Sequence, residues 1–350
     1  MFRLSTKSCR TPENVILFYD VKNTNLNVYD GTKLEPPALI TLALLNPNLT
    51  SLRIDFCGHL DDVVLNSWST SLPSLVHLEL LGPFLIHPPA WIHFFQSHPQ
   101  LGALLLHQSP RFDLECMSAL AAHCSNLTVL RLKEIGKLDD AFLPYISSLR
   151  RLEQLDLSSP STSCSEDGVI ALLERCGARL THLDLSEHKE LGDDFLKYGL
   201  QEYAPNLVSL RLDNLPALTD EGVATFFRAW LPSVLTSLSI ARAPNVGGAQ
   251  ALPALLDCAG STLSTLSINA WRETTPEALE KIASARELRI LDVGWNRAVD
   301  NFVIKAIMDG CPKLEEIKCW GCNRVTASCP RKVTLFLSIV CWLTGRWATR

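Results

Sequence analysis

Residues 127–132 read LTVLRL, and residues 207–212 read LVSLRL. Both fit the pattern Leu-x-x-Leu-x-Leu, which occurs eleven times along the chain at intervals of 25 to 28 residues. Aliphatic residues occupy 32 of the 33 template positions, and the exception is Cys319. A repeat of this period is typical of leucine-rich repeats, in which each copy contributes a strand and a helix. The copies begin at Leu49, Leu75, Leu101, Leu127, Leu152, Leu180, Leu207, Leu235, Leu263, Leu288 and Leu314.

The residues after each copy indicate a turn and then a helix. Acidic residues follow a second apolar column in several repeats, as in Asp61-Asp62. An Asp there suits a helix N-cap, because its carboxylate accepts hydrogen bonds from unpaired backbone N–H groups. Apolar residues then recur at helical spacing, as Val64, Leu65 and Trp68 do. We therefore predict an α/β fold, a leucine-rich-repeat solenoid (horseshoe) with a parallel sheet on the concave face and helices on the convex face.

The extent of the repeat divides the chain into three predicted parts. Residues 1–22 are a degenerate N-terminal segment, residues 23–328 a leucine-rich-repeat domain of about twelve repeats, and residues 329–350 an atypical apolar tail. The extra repeat is a weak first copy that starts at Asn23 and has its helix at Pro36 to Leu45. In the tail, Val333 to Leu343 is a mostly apolar run of 11 residues, whereas a membrane helix needs about 20. We expect this run either to cap the last repeat or to promote aggregation.

Composition restricts the class of protein. The chain has 350 residues, 47% of them hydrophobic, and a formal net charge of −5. It is therefore a folded chain that is not built to coat nucleic acid or an anionic membrane. It has 12 cysteines, and its first residues do not read as a secretory signal. These features favour a reducing compartment. We expect the nucleus, with the cytoplasm as the alternative, and no transmembrane segment.

Two kinds of chemical site can be weighed from motifs. Cys311, Cys319, Cys322 and Cys329 include a Cys-x-x-Cys pair, which can hold zinc. Cys311 and Cys322 fall on cysteine columns of the repeat and Cys319 replaces a core Leu, so we favour buried thiols. The sequence contains no phosphate-binding loop, nucleophile elbow or His-Glu-x-x-His motif. We expect neither enzymatic activity nor a metal or cofactor.

The candidate binding residues lie on the sheet and where the chain leaves it. The inner-face column has mixed charge and no basic stripe, which argues against strong nucleic-acid binding and is acceptable for a protein partner. Trp271, Trp295 and Trp320 lie in three successive repeats, eight, seven and six residues after their starts. They form either a binding hot spot or a secondary core within the loops. Together with Arg211 and Arg242 they are our candidate partner site. The column consists of Arg53, Glu79, Leu105, Arg131, Asp156, Asp184, Arg211, Ser239, Ser267, Asp292 and Lys318.

Several stretches resemble a known family. Cys57 and Cys322 lie eight residues after their repeat starts, and Cys124 and Cys311 lie three residues before theirs. This placement resembles the cysteine-containing repeat class of F-box/LRR proteins and their relatives. Within that class, FCGHLDDVVLNSW at residues 56–68 and CPKLEEIKCWGCNRVTASCPRK at 311–332 resemble the fungal Rad-seven family of nucleotide-excision-repair proteins.

The resemblance implies a function that the repeat alone does not. It implies a nuclear, non-enzymatic subunit that acts in DNA-damage recognition, in global-genome nucleotide excision repair, beside a Snf2-type ATPase. The alternative role is the substrate receptor of an F-box- or elongin/cullin-type ubiquitin ligase, and we expect this chain to lack the family's N-terminal adaptor-docking region. We expect a monomer within a complex. A third hypothesis, a non-functional fragment, is favoured by the unusual tail.

Overall fold

The computed structural model describes residues 24–232 and 234–326 and the backbone of residues 334–336. The chain forms two compact units, residues 1–168 and 169–350. Six parallel strands in the described part of the first unit pair in chain order. They are β1 (Asn25–Val28), β2 (Ser51–Ile54), β3 (His77–Leu81), β4 (Ala103–His107), β5 (Val129–Lys133) and β6 (Gln154–Asp156). The helices between them are α1 (Pro36–Leu45), α2 (Asp62–Ser71), α3 (Pro88–Ser97), α4 (Leu114–His123) and α5 (Leu143–Ser148), which a 3-10 turn at Asp140–Phe142 precedes.

The second unit is built in the same way. Its strands are parallel and pair in chain order. They are β7 (His182–Asp184), β8 (Ser209–Arg211), β9 (Ser237–Ser239), β10 (Thr265–Ser267), β11 (Ile290–Asp292), β12 (Glu316–Lys318) and β13 (Thr334–Phe336). The helices are α6 (Glu166–Cys176), in which the division between the units falls, α7 (Gln201–Tyr203), α8 (Asp220–Ala229), α9 (Ala251–Ala259), α10 (Pro276–Glu280) and α11 (Asn301–Gly310). Shorter turns are 3-10 at Gly177–Arg179 and Lys281–Ser284 and a π-helical segment at Phe195–Leu200.

This alternation confirms the predicted leucine-rich-repeat α/β fold. Each of the eleven copies forms a strand, and the weak first copy forms β1 and α1, with the helix at the predicted residues. The strand registers place the predicted inner-face column side by side within each unit, as with Arg53 opposite Glu79 and Asp184 opposite Arg211. Among the described helices, none combines the length and the apolar character needed to cross a membrane.

Some predictions concern residues outside the described part of the chain. These are the segment 1–22, Asn23, Cys329 and the tail 329–350 apart from β13. The domain boundaries and the role of the tail therefore stay predictions. The backbone of β13 pairs in parallel with β12, with Glu316 opposite Thr334 and Lys318 opposite Phe336.

The template residues form the core between sheet and helices. All 33 template side chains are buried. Burying one Leu contributes about 1.5–3 kcal/mol, so the repeats are stabilised by burying each other's apolar faces. Aromatic residues on the helices enlarge this core: in α3 the rings of Trp91 and Phe95 stack with centroids 5.7 Å apart, and Phe226 of α8 stacks on Trp230 at 4.8 Å.

The acidic residues before the helices have two different roles. A residue twelve positions after the repeat start caps its own helix: Asp61 accepts a hydrogen bond from the Val64 N–H at 3.0 Å. An Asp one position further on reaches the next repeat, as Asp193 does when it accepts from the backbone N–H and hydroxyl of Thr219 at 3.0 and 2.6 Å. Asp193 is therefore not the cap of its own helix, because its carboxylate is already directed to the following repeat. The same inter-repeat bonds join Asp62 to His87, Asp140 to Ser165, and Asp220 to Gly248 and Gln250.

Candidate partner-binding site

The site in the second unit begins with the turn that follows each strand. Seven residues after each of the eleven repeat starts, the backbone has a left-handed φ between 52° and 79°. In the second unit these residues are exposed or half-buried, whereas the next residue of each repeat is buried. A left-handed φ costs a residue with a Cβ about 1–2 kcal/mol. Nevertheless Arg242 and Trp295 occupy such positions, with φ of 56° and 57°.

Five of these turns, at residues 214, 242, 270, 295 and 321, line an open cavity of about 690 Å³, which we name the Trp–Arg cavity. Its volume lies in the range of small-ligand and peptide sites. Its lining is cationic, amide-bearing or small, apart from Trp295, and contains no carboxylate. The residues that line it are Asn214, Arg242, Pro244, Asn269, Ala270, Arg272, Trp295, Arg297, Gly321 and Asn323.

Trp295 is the aromatic group of this cavity. Its relative exposure is 57%, which is high for so large an apolar side chain. The ring lies against Gly321, where a Cβ would come within 2.6 Å of the indole carbons. Gly321 has a φ of 74°, so glycine meets both the backbone and the space requirement there. The indole is thus supported on one side and open to a partner on the other.

Three arginines give the cavity its charge. Arg242, Arg272 and Arg297 come from three successive repeats and are all exposed. Within the described residues none of them forms an ion pair. Arg272 and Arg297 are not among the residues predicted from the sequence, although both lie nine residues after their repeat starts. That shared offset was the available signal.

Trp271 does not belong to this surface. It is fully buried, and its Nε1–H donates to the Ile240 carbonyl at 2.7 Å. Its ring packs against Gly248, where a Cβ would approach to 2.9 Å. The prediction of a binding hot spot is therefore wrong for Trp271. Its position in the repeat faces inward, so it belongs to the secondary core within the loops, which was the alternative prediction.

The other two candidates lie beside the cavity. Trp320 is half-buried, and its carbonyl accepts a hydrogen bond from the Trp295 N–H. Arg211 lies on β8, where its guanidinium contacts Asp213 at 2.9 Å and Asp184 at 3.4 Å. These two carboxylates balance the charge of Arg211, which lies outside the cavity lining.

Eight of the nine cysteines that the structure describes are buried thiols, and Cys258 is half-buried. The Cys57 sulfur donates to the Leu81 carbonyl at 3.2 Å, and Cys322 donates to that of Val293 at 3.3 Å. Burial raises the pKa of Cys57 to about 12 and that of Cys322 to about 11. Within the described residues, no group of three potential ligands is placed to hold a metal ion.

No family model matches the chain. The DNA repair protein rhp7 of Schizosaccharomyces pombe is 31% identical over 315 residues, which cover 89% of this chain and 56% of rhp7. The DNA repair protein RAD7 of Saccharomyces cerevisiae is 29% identical over 331 residues, covering 92% of this chain and 58% of RAD7. The chain is a homologue of the Rad7-type DNA repair proteins. It spans a little over half the length of these relatives.

Solved structures agree with this relationship. Rad7 in a crystal structure of the yeast Rad7–Elc1 complex has a TM-score of 0.82 and 28% identity, covering 93% of this chain and 83% of that chain. An internalin of Listeria monocytogenes has a TM-score of 0.52 at 16% identity, covering 97% of this chain and 90% of the internalin, and so supports the fold alone. The Rad-seven resemblance read from the cysteine-rich repeats is confirmed.

Proposed function

We propose that this chain is a non-enzymatic protein-interaction subunit of DNA-damage recognition in global-genome nucleotide excision repair, acting in the nucleus. The observation that carries the proposal is the Trp–Arg cavity, in which Trp295 stands exposed among three unpaired arginines. Exposed Trp and Arg residues are the side chains most enriched in binding hot spots. The Rad7-type relatives are DNA repair proteins, and the Rad-seven resemblance supports a Snf2-type ATPase as the partner.

Ultraviolet survival tests this function. A yeast strain without RAD7 receives the full chain joined to the part of RAD7 that the chain does not span. We expect survival and the removal of pyrimidine dimers to rise above those of the deletion strain. A fusion with Trp295→Gly and Arg272→Glu should lose most of the gain. Survival at the deletion level, with the fusion present at the normal RAD7 amount, would contradict the proposal.

The second candidate is the substrate receptor of a cullin-type ubiquitin ligase. It is favoured by the structural relative, because that Rad7 was crystallised as a complex with Elc1. We expect the chain joined to the part of RAD7 that it does not span to bind Elc1 in isothermal titration calorimetry, and Trp295→Gly to leave this affinity unchanged if the cavity serves the substrate. Absence of Elc1 binding by this fusion would remove the candidate.

A further inference from the structure

We propose that the Trp–Arg cavity binds a short acidic peptide segment, in which carboxylates flank one apolar side chain. The inference rests on the proposed function in one respect, that a protein occupies the cavity, and it adds the chemistry of the segment that enters it.

Charge is the first argument. The chain carries a net charge of −5, yet the cavity lining holds three arginines and no Asp or Glu. Two exposed cations elsewhere in the second unit are matched locally, Lys313 by Glu287 at 2.6 Å and Arg289 by Glu315. A guanidinium binds a carboxylate through two parallel hydrogen bonds, which makes clustered arginines a carboxylate site. The cavity therefore presents three arginines that no carboxylate of the described chain pairs, and a carboxylate-bearing ligand would complement them.

The apolar requirement comes from Trp295. Its indole is open to solvent on the face away from Gly321, and covering that face would remove a large apolar area from water. Two lining amides, those of Asn214 and Asn323, add hydrogen-bonding groups suited to an extended peptide backbone, and a third, that of Asn269, donates to Asp292 at 3.0 Å. The side chains required of a ligand are thus acidic groups around an aliphatic or aromatic residue.

The surroundings favour a peptide over nucleic acid. Acidic residues adjoin the cavity-lining residues in the sequence: Asp213 precedes Asn214, Glu273 follows Arg272, and Asp292 lies on the strand that leads to Trp295. Asp292 borders the cavity, because it accepts a hydrogen bond from the lining amide of Asn269 at 3.0 Å. A phosphate backbone that continued past the cavity would meet this carboxylate, and like charges repel. A short segment needs to place its own carboxylates only at the arginines. The basic area is an island rather than the stripe that nucleic-acid binding uses.

Fluorescence anisotropy with three probes tests the inference on the purified full chain. The probes are a labelled peptide of glutamates around a Leu-Phe pair, the same peptide with Gln in place of every Glu, and a single-stranded thymidine oligonucleotide. We expect the Glu peptide to bind, the Gln peptide to bind at least about tenfold more weakly, and the affinity for the Glu peptide to fall with added salt. Oligonucleotide binding equal to or tighter than Glu-peptide binding would overturn the inference in favour of nucleic acid.

Variants assign the binding to the cavity. We expect Arg272→Glu and Trp295→Gly each to weaken Glu-peptide binding about tenfold or more. Arg286→Glu is the matched control, because Arg286 is exposed and lies outside the cavity. If the charge-reversed chain is unfolded by circular dichroism, Arg272→Gln together with Arg297→Gln replaces it. Glu-peptide binding that is absent, or that Arg286→Glu weakens as much as Arg272→Glu, would overturn the inference.

This experiment can fail independently of the proposed function. A chain that restores ultraviolet survival but does not bind the Glu peptide contradicts only the acidic-peptide inference. A chain that binds the Glu peptide through Arg272 and Trp295 but restores no survival contradicts only the repair function.

Discussion

Two tryptophans in adjacent repeats provide a matched test of the site. Trp271 is fully buried and Trp295 is 57% exposed, although they follow their repeat starts by eight and seven residues. We would change Trp271 to Ala and Trp295 to Gly, since Gly suits the left-handed φ of 57° at residue 295. The burial difference predicts opposite effects: Trp271→Ala destabilises the fold, and Trp295→Gly weakens partner binding.

The magnitudes follow from burial and backbone conformation. Removing a buried Trp costs about 3–5 kcal/mol, and Trp271→Ala also leaves the Ile240 carbonyl without its donor. Less than half of the Trp295 surface is buried, which is roughly 85 Å² and at most about 2 kcal/mol. Relief of the left-handed backbone offsets about 1 kcal/mol of that loss. We therefore expect Trp295→Gly to cost about 1 kcal/mol in stability.

Urea unfolding followed by far-ultraviolet circular dichroism measures both changes against the parent chain. Binding of the acidic peptide is then measured on each folded variant. The reasoning would be refuted if Trp295→Gly lowered the free energy of unfolding as much as Trp271→Ala, because both residues would then be core. It would equally be refuted if Trp295→Gly bound the peptide as tightly as the parent.

Three further predictions concern the rest of the chain. Burial lowers the pKa of His98 below its ordinary 6.5, so the stability that its neutral form contributes above pH 6.5 should be lost as the pH falls. In a plot of the free energy of unfolding against pH, His98→Leu should flatten the curve in this range, whereas His93→Gln, at an exposed position, should not. Asp193→Ala should lower stability by about 1–2 kcal/mol because the N–H and hydroxyl of Thr219 lose their acceptor. Asp194→Ala, at the exposed neighbour, should change it by less than about 0.5 kcal/mol, and an equal effect in thermal melts would contradict the inter-repeat bond. Cys57, whose thiol pKa burial raises to about 12, should resist iodoacetamide at neutral pH until urea unfolds the chain, as peptide mass spectrometry can follow.

The repeat pattern predicted the fold because every template Leu has one structural role. Even the weak first copy was placed correctly, since Leu26 and Val28 mark β1 and Pro36 marks the first turn of α1. The helices were less uniform than the pattern. The segment Phe195–Leu200 is π-helical and Lys281–Ser284 is a 3-10 turn, and nothing in the Leu pattern distinguishes these repeats from those with ordinary α-helices.

The site was only partly predictable. Arg242 and Trp295 were selected and line the cavity, but Trp271 was grouped with Trp295 although one position separates their offsets. Trp271 shares the offset of Cys322, a thiol predicted to be buried, so the sequence held the signal that it faces inward. Convergence of arginines from three repeats depends on how the turns are stacked, and no single-repeat pattern contains that information.

Because some carboxylates bond to the next repeat, a repeat as it is read in the sequence does not contain all the bonds that hold its structure together. Because Asp193 accepts hydrogen bonds from Thr219, the N-cap residue of α8, a gene segment cut at the repeat boundary would carry that cap residue without the carboxylate that holds it. Duplication of such a segment beside its own copy restores the bond, whereas recombination with an unrelated repeat that lacks the Asp does not. This arrangement favours growth of the array by tandem duplication over exchange of single repeats.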